Sequence, residues 1–138
     1  MGKIIINTDG GARGNPGPAA SGFVVSRNGE VVFSEGKYLG EATNNIAEYQ
    51  AVNQAFAWLT QNHKEQGITA VDFLLDSELV TKQLRGEYKI KNQNLMAIAA
   101  QVKKQERDLG LAVSYNYIPR AKNALADAVV NQTLDNHV

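Results

Sequence analysis

The alternation of apolar and polar positions predicts three strands at the start of the chain. The consecutive β-branched residues at positions 4–6 are typical of a strand that is buried on both faces. Two further short apolar runs, residues 21–26 and 30–34, flank Asn28 and Gly29, the residue pair most typical of a tight hairpin turn. We therefore expect the chain to open with an antiparallel meander.

An acid follows the first apolar run, and a glycine-rich stretch then continues to residue 22. Asp9 stands at the carboxyl end of the first strand, and the glycines and prolines after it predict a turn followed by a loop. The phosphate-binding pattern Gly-x-x-x-x-Gly-Lys is absent. Taken alone, this stretch favours a wide hairpin turn over a ligand site. Residues 36–42, which contain two further glycines, predict another loop.

A helical pattern begins after the capping residue Thr43 and continues to about His63. At 100° per residue, one face of this helix is apolar, and Glu48 falls near the middle of that face. The apolar positions are Ala47, Ala51, Val52, Ala55, Phe56 and Leu59. An acid on a buried face has to be paired, bound to a metal or protonated.

The run from residue 69 to Asp76 resembles the first strand, because this hydrophobic segment also ends in an acid. A strand reached through a crossover helix would lie parallel to the first strand, which places Asp9 and Asp76 at neighbouring carboxyl ends. The structural alternative is that Asp76 or Ser77 simply caps a short helix over residues 77–84.

The remainder of the chain predicts a helix from Asn92 to about Leu109, a strand over residues 112–118 and a last helix from Asn123 to about Asp135. The last helix is apolar nearly all round, so periodicity does not orient Asp127, whose charge would in any case complement the helix dipole. The order βββαβααβα predicts an α/β fold with a mixed five-stranded sheet flanked by helices.

Composition narrows the class of protein. The 138 residues fit a single domain over residues 1–138. The absence of cysteine excludes disulfides and thiolate metal sites, and agrees with a cytoplasmic location. No apolar stretch is long enough to cross a bilayer, so we expect no membrane association. Fourteen basic and fourteen acidic residues balance, which argues against nucleic-acid binding driven by net charge alone.

Four acids form a pattern that none of them forms alone. Asp9, Glu48, Asp76 and Asp127 each have an adequate structural role, yet together they can converge on one point above the sheet. Their mutual repulsion would require divalent cations, and ligands that offer only oxygen suit Mg²⁺ or Mn²⁺. Enzymes that hydrolyse phosphodiesters commonly use carboxylates that hold two such ions.

Five sequence motifs carry a family resemblance. They are TDGGARGNPGPAASG at residues 8–22, TNNIAEYQAV at 43–52, LLDSELV at 74–80, KIKNQNL at 89–95 and PRAKNALAD at 119–127. On these motifs the chain resembles the ribonuclease HI (type 1 ribonuclease H) family over essentially its whole length, in particular the archaeal-like subtype that lacks a basic protrusion. The resemblance implies the ribonuclease H-like fold and endonucleolytic cleavage of the RNA strand of RNA/DNA hybrids, leaving 5′-phosphate and 3′-hydroxyl ends.

The same resemblance implies the site residues and cofactors. The metal-binding, catalytic carboxylates would be Asp9, Glu48, Asp76 and Asp127, with two Mg²⁺ ions when substrate is bound and Mn²⁺ as a substitute. Toward the RNA strand the substrate-binding residues would be Asn15, Asn45, Glu48 and the backbone of Gly10 and Gly11. Thr43 and Asn92 would hold a phosphate of the DNA strand, and Asn44 would also belong to the substrate-binding set. The partner would be the hybrid alone, with no obligate protein partner and a monomeric protein.

The chain departs from the family pattern at several identifiable positions. Arg120 occupies the place of a loop histidine found in many members. Because arginine cannot act as a general base near neutrality, we expect Arg120 to contribute to catalysis by positioning a phosphate or by assisting product release. Glu41 stands where the family has an arginine at the pocket for a DNA phosphate. With no protrusion, basic residues near the third acid would carry hybrid affinity; they are Lys82, Arg85, Lys89 and Lys91. Some relatives of this kind also cut double-stranded RNA or RNA–DNA junctions, so the sequence leaves open whether this chain acts on them too.

Two alternative functions belong to different classes. A nuclease of the same fold that cuts DNA, such as an integrase or resolvase, would share the carboxylates but not the TNN and GNPG motifs. A binding domain without catalysis would have lost an acid, whereas all four are present.

Overall fold

The computed structural model describes residues 2–137 and contains a five-stranded mixed sheet with helices on both faces. The strands are β1 (Lys3–Ala12), β2 (Gly17–Arg27), β3 (Glu30–Ala42), β4 (Ala70–Leu75) and β5 (Ala112–Tyr117). The helices are α1 (Asn44–Asn62), α2 (Glu78–Leu84), α3 (Gln93–Leu109) and α4 (Ala124–Asp135), with a 3₁₀ turn at Arg120–Lys122. The sheet order is β3-β2-β1-β4-β5. The predicted order of elements is confirmed.

Strand direction within the sheet changes at β1. β1 pairs antiparallel with β2 and parallel with β4, and β5 continues the parallel half. β4 is reached from β3 through the crossover helix α1, and a strand that returns to the same sheet through a helix lies parallel to the strand it left. Because β3 runs in the same direction as β1, β4 is parallel to β1 as well. The carboxyl ends of β1 and β4 therefore meet at one edge, as the sequence predicts.

Two neighbouring glycines show that α1 and α4 cover opposite faces of the sheet. A Cβ on Gly10 would collide with the backbone of Ala47 in α1, whereas a Cβ on Gly11 would point toward Val130 in α4. Successive residues of a strand point to opposite faces. The larger core lies on the α1 side, where α1 and α3 pack over the sheet. All six apolar positions predicted for the buried face of α1 are buried.

The first apolar run is not buried on both faces. Ile4 and Ile6 are fully enclosed under α1, but Ile5 on the other face is 37% exposed. Helix α4 contacts this second face near Gly11 and Gly22, toward the other end of β1 and β2. Because α4 is short, its apolar face does not reach Ile5, and the prediction of a strand buried on both faces is wrong there.

Residues 36–42 are not a loop but the second half of β3. Gly36 lies under α4, where a Cβ would collide with the Thr133 hydroxyl. The glycine therefore permits close packing of a helix on a strand, and the same residue read as a turn signal misled the sequence prediction. The Asn28-Gly29 hairpin is confirmed, with positive φ angles of 54° and 81° at the two residues.

The glycine-rich stretch after Asp9 is also a hairpin rather than a turn followed by a loop. β1 continues to Ala12 and pairs with β2, which begins at Gly17, so that only residues 13–16 form the tip. The simpler interpretation of this stretch as a hairpin turn was therefore correct in geometry. The hairpin nevertheless carries its polar residues to the edge of the sheet at which β1 and β4 end.

Helix caps lie close to their predicted positions. Thr43 caps α1 through its hydroxyl, which accepts from the Ile46 amide, and Asn92 caps α3. Ser77, not Asp76, caps α2. The side chain of Asp76 is consequently not needed as a cap. Across residues 2–137, we find no helix with the length and apolar character needed to span a membrane.

Candidate active site

Three carboxylates meet at the edge where β1 and β4 end. Thr8 pairs with Leu75 in the parallel register, so Asp9 and Asp76 each follow directly after the last paired residues. Glu48 comes from the first half of α1. One carboxylate oxygen of each acid lies within 4.8 Å of one from each of the others.

Gly10 makes this approach possible. A Cβ at this position would collide with backbone atoms of Ala47 and Glu48 in α1. Only a glycine lets β1 lie against the backbone of the helix at this point. The sequence Asp9-Gly10 therefore positions a carboxylate and at the same time allows Glu48 to approach it.

The three acids lie in an open cleft of about 480 Å³. It extends from the first hairpin across the ends of β1 and β4 to α4. Its lining comprises Asp9, Gly10, Gly11, Ala12, Arg13, Asn44, Glu48, Asp76, Ser77, Arg120, Asp127, Val130, Asn131 and Leu134. Asp9 is only 8% exposed at the floor of this cleft.

Burial and repulsion disfavour the charged forms of two of the acids. Burial, with repulsion from Asp76, raises the pKa of Asp9 to about 7, although the Gly10 amide donates to its Oδ1 at 2.9 Å and partly offsets this. Burial also raises the pKa of Glu48 to about 8, together with repulsion from Asp9 and Asp76. Near neutral pH these two acids therefore tend to hold protons, since among residues 2–137 neither forms an ion pair with a basic side chain that would stabilise its charged form.

These residues fit a divalent cation. Asp9, Glu48 and Asp76 offer only oxygen donors, the ligand type that Mg²⁺ and Mn²⁺ prefer. A bound cation would replace the protons that burial and repulsion otherwise hold on the cluster. The three acids therefore fit a divalent cation in two respects: their donor atoms are all oxygens, and their charged forms need a positive partner.

Asp127 lies in the same cleft but outside the close cluster. It belongs to the first turn of α4, and its charge contributes to the raised pKa of Asp9. Its Oδ2 accepts from Asn131 Nδ2 at 3.2 Å, one helical turn further along. The structure thus brings three of the predicted acids together and places the fourth on the wall of the cleft.

Two arginines border the cleft. Arg120 is exposed in the 3₁₀ turn that precedes α4, and among residues 2–137 no ion pair involves its guanidinium. Arg13, at the tip of the first hairpin, is instead paired with Asp135 at 2.7 Å. Of the two, Arg120 is therefore the cation that an incoming phosphate can meet without displacing an acid.

The predicted contacts to the RNA strand lie beside the hairpin tip. Asn15 Oδ1 accepts from the Asn44 amide at 3.0 Å, and Asn44 Oδ1 accepts from the Ala12 amide at 2.8 Å. These bonds attach the hairpin to the start of α1. Asn45 follows, with its side chain exposed, while Gly10 and Gly11 line the cleft.

The residues predicted to hold a DNA phosphate are both helix caps. The Thr43 hydroxyl accepts from the Ile46 amide at 3.2 Å, and Asn92 Oδ1 accepts from two amides at the start of α3. Both residues therefore have a structural role as helix caps.

The basic residues after the third acid are only partly free. Lys82 pairs with Glu78 at 3.2 Å and lies over the Tyr88 ring, while Arg85 donates to the Tyr115 carbonyl at 2.6 Å. Lys89 and Lys91 are exposed in the connector between α2 and α3.

One residue of the site was not anticipated from the sequence. Asn123 is 1% exposed, and its side chain donates to Asp76 Oδ2 at 2.9 Å. At the start of a helical pattern it reads as a cap, yet its side chain makes no capping hydrogen bond. Its place in the motif that also contains Asp127 was the available signal.

Comparison with known proteins agrees with this geometry. A family model described as reverse transcriptase-like matches residues 7–133. The fold superimposes on the structure of LC11-RNase H1 in complex with an RNA/DNA hybrid, with a TM-score of 0.92, 38% identity and coverage of 97% of this chain and 98% of that one.

Relatives also match at the level of sequence. The ribonuclease HI of Halobacterium salinarum is 38% identical over 97% of this chain and 65% of its own length. The bifunctional protein Rv2228c of Mycobacterium tuberculosis is 38% identical over 96% of this chain. This chain spans only 36% of the length of that mycobacterial protein. The matched sequence motifs, the sheet order and the near-complete coverage of solved type 1 structures agree, and the chain belongs to the ribonuclease HI family.

Proposed function

We propose that this chain is a single ribonuclease H domain that cuts the RNA strand of RNA/DNA hybrids with the help of divalent metal ions. The observation that carries the proposal is the approach of three carboxylates to within 4.8 Å at the ends of two parallel strands, in an open cleft. The hybrid bound to LC11-RNase H1, a protein of the same family, supports the choice of substrate.

Asp9, Glu48 and Asp76 would hold the metal ions, and Asp127 would complete the set from the wall of the cleft. The ions, Mg²⁺ with Mn²⁺ as a substitute, supply activation of a water molecule and stabilisation of the leaving oxygen. The chain itself keeps the acids close and shields Asp9 from most solvent. The expected products carry a 5′-phosphate and a 3′-hydroxyl.

The walls of the cleft would position the substrate. Asn15, Asn44 and Asn45, with the backbone at Gly10 and Gly11, would contact the RNA strand, where the 2′-hydroxyls distinguish RNA from DNA. Thr43 and Asn92 would hold a phosphate of the DNA strand. Arg120 would attract a phosphate of the cut strand, since its guanidinium is charged at all relevant pH values.

Net charge plays little part in this recognition, because acidic and basic residues are equal in number. Affinity would come from local contacts, with Lys89 and Lys91 as the exposed cations of the connector. The monomeric state and the cytoplasmic location that the sequence predicts stay predictions.

A substrate panel tests the proposal. Purified protein is incubated with one sequence prepared as RNA/DNA hybrid, RNA duplex, RNA–DNA junction, DNA duplex and single-stranded RNA, each with Mg²⁺, Mn²⁺ or EDTA. We expect cleavage of the hybrid with metal and none with EDTA. Preferential cleavage of DNA would select the alternative of a DNA nuclease, and binding of hybrid without cleavage in either metal would select the alternative of a binding domain.

A further inference from the structure

Asn123 lies in a buried position directly behind the acidic cluster. It is 1% exposed and sits between the 3₁₀ turn and α4. Its Nδ2 donates to the Thr8 carbonyl and to Asp76 Oδ2, both at 2.9 Å, while its Oδ1 accepts from Asn7 Nδ2 at 3.0 Å. A backbone carbonyl and a carboxylate can only accept, so the amide nitrogen has to face them and the side chain has one orientation.

This single residue connects three of the four acids. Thr8 directly precedes Asp9, and Asp76 is contacted by the side chain itself. The backbone carbonyl of Asn123 accepts from the backbone amide of Asp127 at 3.1 Å, in the first turn of α4. The end of β1, the end of β4 and the start of α4 are therefore fixed relative to one another through Asn123.

The hydrogen bond to Asp76 has a particular value in this cluster. Carboxylates this close repel one another, and an unsupported Asp76 would lower the energy by turning away from Asp9 and Glu48. A neutral donor holds Asp76 in place without cancelling the charge that attracts a cation. A carboxylate has two oxygens, so one can accept from Asn123 while the other remains for a metal ion.

We propose that Asn123 is a positioning residue for the metal site, which holds Asp76 toward Asp9 and Glu48 before any ion binds. This inference rests on the proposed function, because it assigns Asn123 to the metal ions that the function requires. A purely structural asparagine would instead contribute only to the attachment of α4.

Asn7 provides a matched control. Its amide belongs to the same cluster of hydrogen bonds and donates to Asn123, but among residues 2–137 it makes no hydrogen bond to Asp76. Asn7→Ala and Asn123→Ala each remove one side-chain amide from this cluster, and we expect both to lower the melting temperature. Only Asn123→Ala should weaken metal binding, by about 10- to 100-fold, the usual cost of losing a group that orients a metal ligand.

The test measures binding of Mn²⁺ alone by calorimetry, without nucleic acid, for wild type and both variants well below their melting temperatures. Hybrid cleavage is then followed against Mg²⁺ concentration, and we expect Asn123→Ala to require more Mg²⁺ while recovering most of its rate at saturation. Should Asn123→Ala not fold, Asn123→Ser replaces it, because a serine hydroxyl can donate only once and cannot serve both Thr8 and Asp76.

The outcomes separate the two proposals. Equal Mn²⁺ affinity in the Asn7 and Asn123 variants, with wild type binding metal and cutting hybrid, would overturn the role of Asn123 and leave the proposed function intact. Wild-type protein that neither binds Mn²⁺ nor cuts hybrid would overturn the function and the inference together.

Discussion

Asp9 and Asp127 show two different ways of supplying a carboxylate to one cleft. Asp9 lies within β1, paired with Gly22 of β2 and directly after the last residue of β1 that pairs with β4. It lies within 4.8 Å of two other acids, and only 8% of its surface is exposed. Asp127 belongs to a helix turn and contacts Asn131 on the same helix. The sheet thus supplies a fixed, dehydrated charge, whereas the helix supplies one whose rotamer is less constrained.

The difference implies an order of importance among the acids. A charge held at high cost by the fold has to be neutralised by something from outside, and a divalent cation is the partner that the oxygen donors favour. The acid on the helix can adjust to an ion or substrate after binding. Substitutions at the two positions should therefore have unequal effects.

The largest expected effect is that of Asp9→Asn. This change removes a central charge but keeps the shape, so we expect cleavage to fall by more than about 100-fold, beyond the usual cost of losing a residue that only supports a ligand. The melting temperature without metal should stay the same or rise at pH 8, because repulsion is relieved. Single-turnover cleavage and thermal unfolding measure the two effects, and normal turnover would refute the role of Asp9.

Asp127→Asn should have a smaller effect, about tenfold, because an amide oxygen can still reach an ion and the close cluster is intact. Part of the loss should be recovered at high Mg²⁺ concentration. Asp108→Asn is a control for the loss of an acid away from the cleft, since Asp108 pairs with Lys104 on α3 and neither residue lines the cleft. Equal losses in the Asp9 and Asp127 variants would remove the distinction between the two regions.

Arg120→Ala should slow cleavage by roughly two- to fivefold, because an exposed charge contact contributes up to about 1 kcal/mol. Lys122→Ala changes a cation in the same 3₁₀ turn that does not line the cleft, and it serves as the control. Single-turnover and steady-state rates distinguish an effect on the cut from one on product release. If both rates equal those of wild type, Arg120 has no part in either step.

The stability of the metal-free protein should depend on pH. The pKa values of Asp9 and Glu48 are raised to about 7 and 8 from ordinary values of 3.8 and 4.5. As pH rises from about 4 to 8, the unfolded chain releases these protons before the folded protein does, so the free energy of unfolding of the metal-free protein falls.

A bound cation removes this penalty, because it replaces the protons on the two acids. Saturating Mg²⁺ should therefore raise the melting temperature more at pH 8 than at pH 6, by at least about 3 °C, the shift that roughly 1 kcal/mol produces in a domain of this size. Differential scanning calorimetry at the two pH values measures it. A Mg²⁺ effect that is independent of pH would show that the raised pKa values are unconnected with metal binding.

Local sequence signals were enough to predict most of the fold. The Asn28-Gly29 turn and the helix caps depend on neighbouring residues only, and their positions are confirmed. Ile5 and Gly36 were misjudged because their surroundings depend on where α4 lies. That placement is set by tertiary packing between elements far apart in the chain, which a periodic pattern does not contain.

The residues of the site likewise divide into those that local sequence signals identify and those whose role depends on tertiary packing. Glu48 could be singled out because a helical period places it on an apolar face, and Asp76 because it repeats the pattern at Asp9. Periodicity did not orient Asp127, since its helix is apolar nearly all round. Asn123 escaped notice because a buried asparagine that acts through distant partners looks, in sequence, like an ordinary helix start.

The most direct test of the central claim uses a hybrid with different labels on its RNA and DNA strands. Wild type and Asp9→Asn are purified identically and incubated with it in Mg²⁺ and in EDTA, so that a contaminating host nuclease would appear in both preparations. We predict that only the RNA strand is cut, by wild type and in Mg²⁺, leaving 5′-phosphate and 3′-hydroxyl ends. Cleavage of the RNA strand in EDTA, or equal cleavage by Asp9→Asn, would contradict a metal site built on these carboxylates.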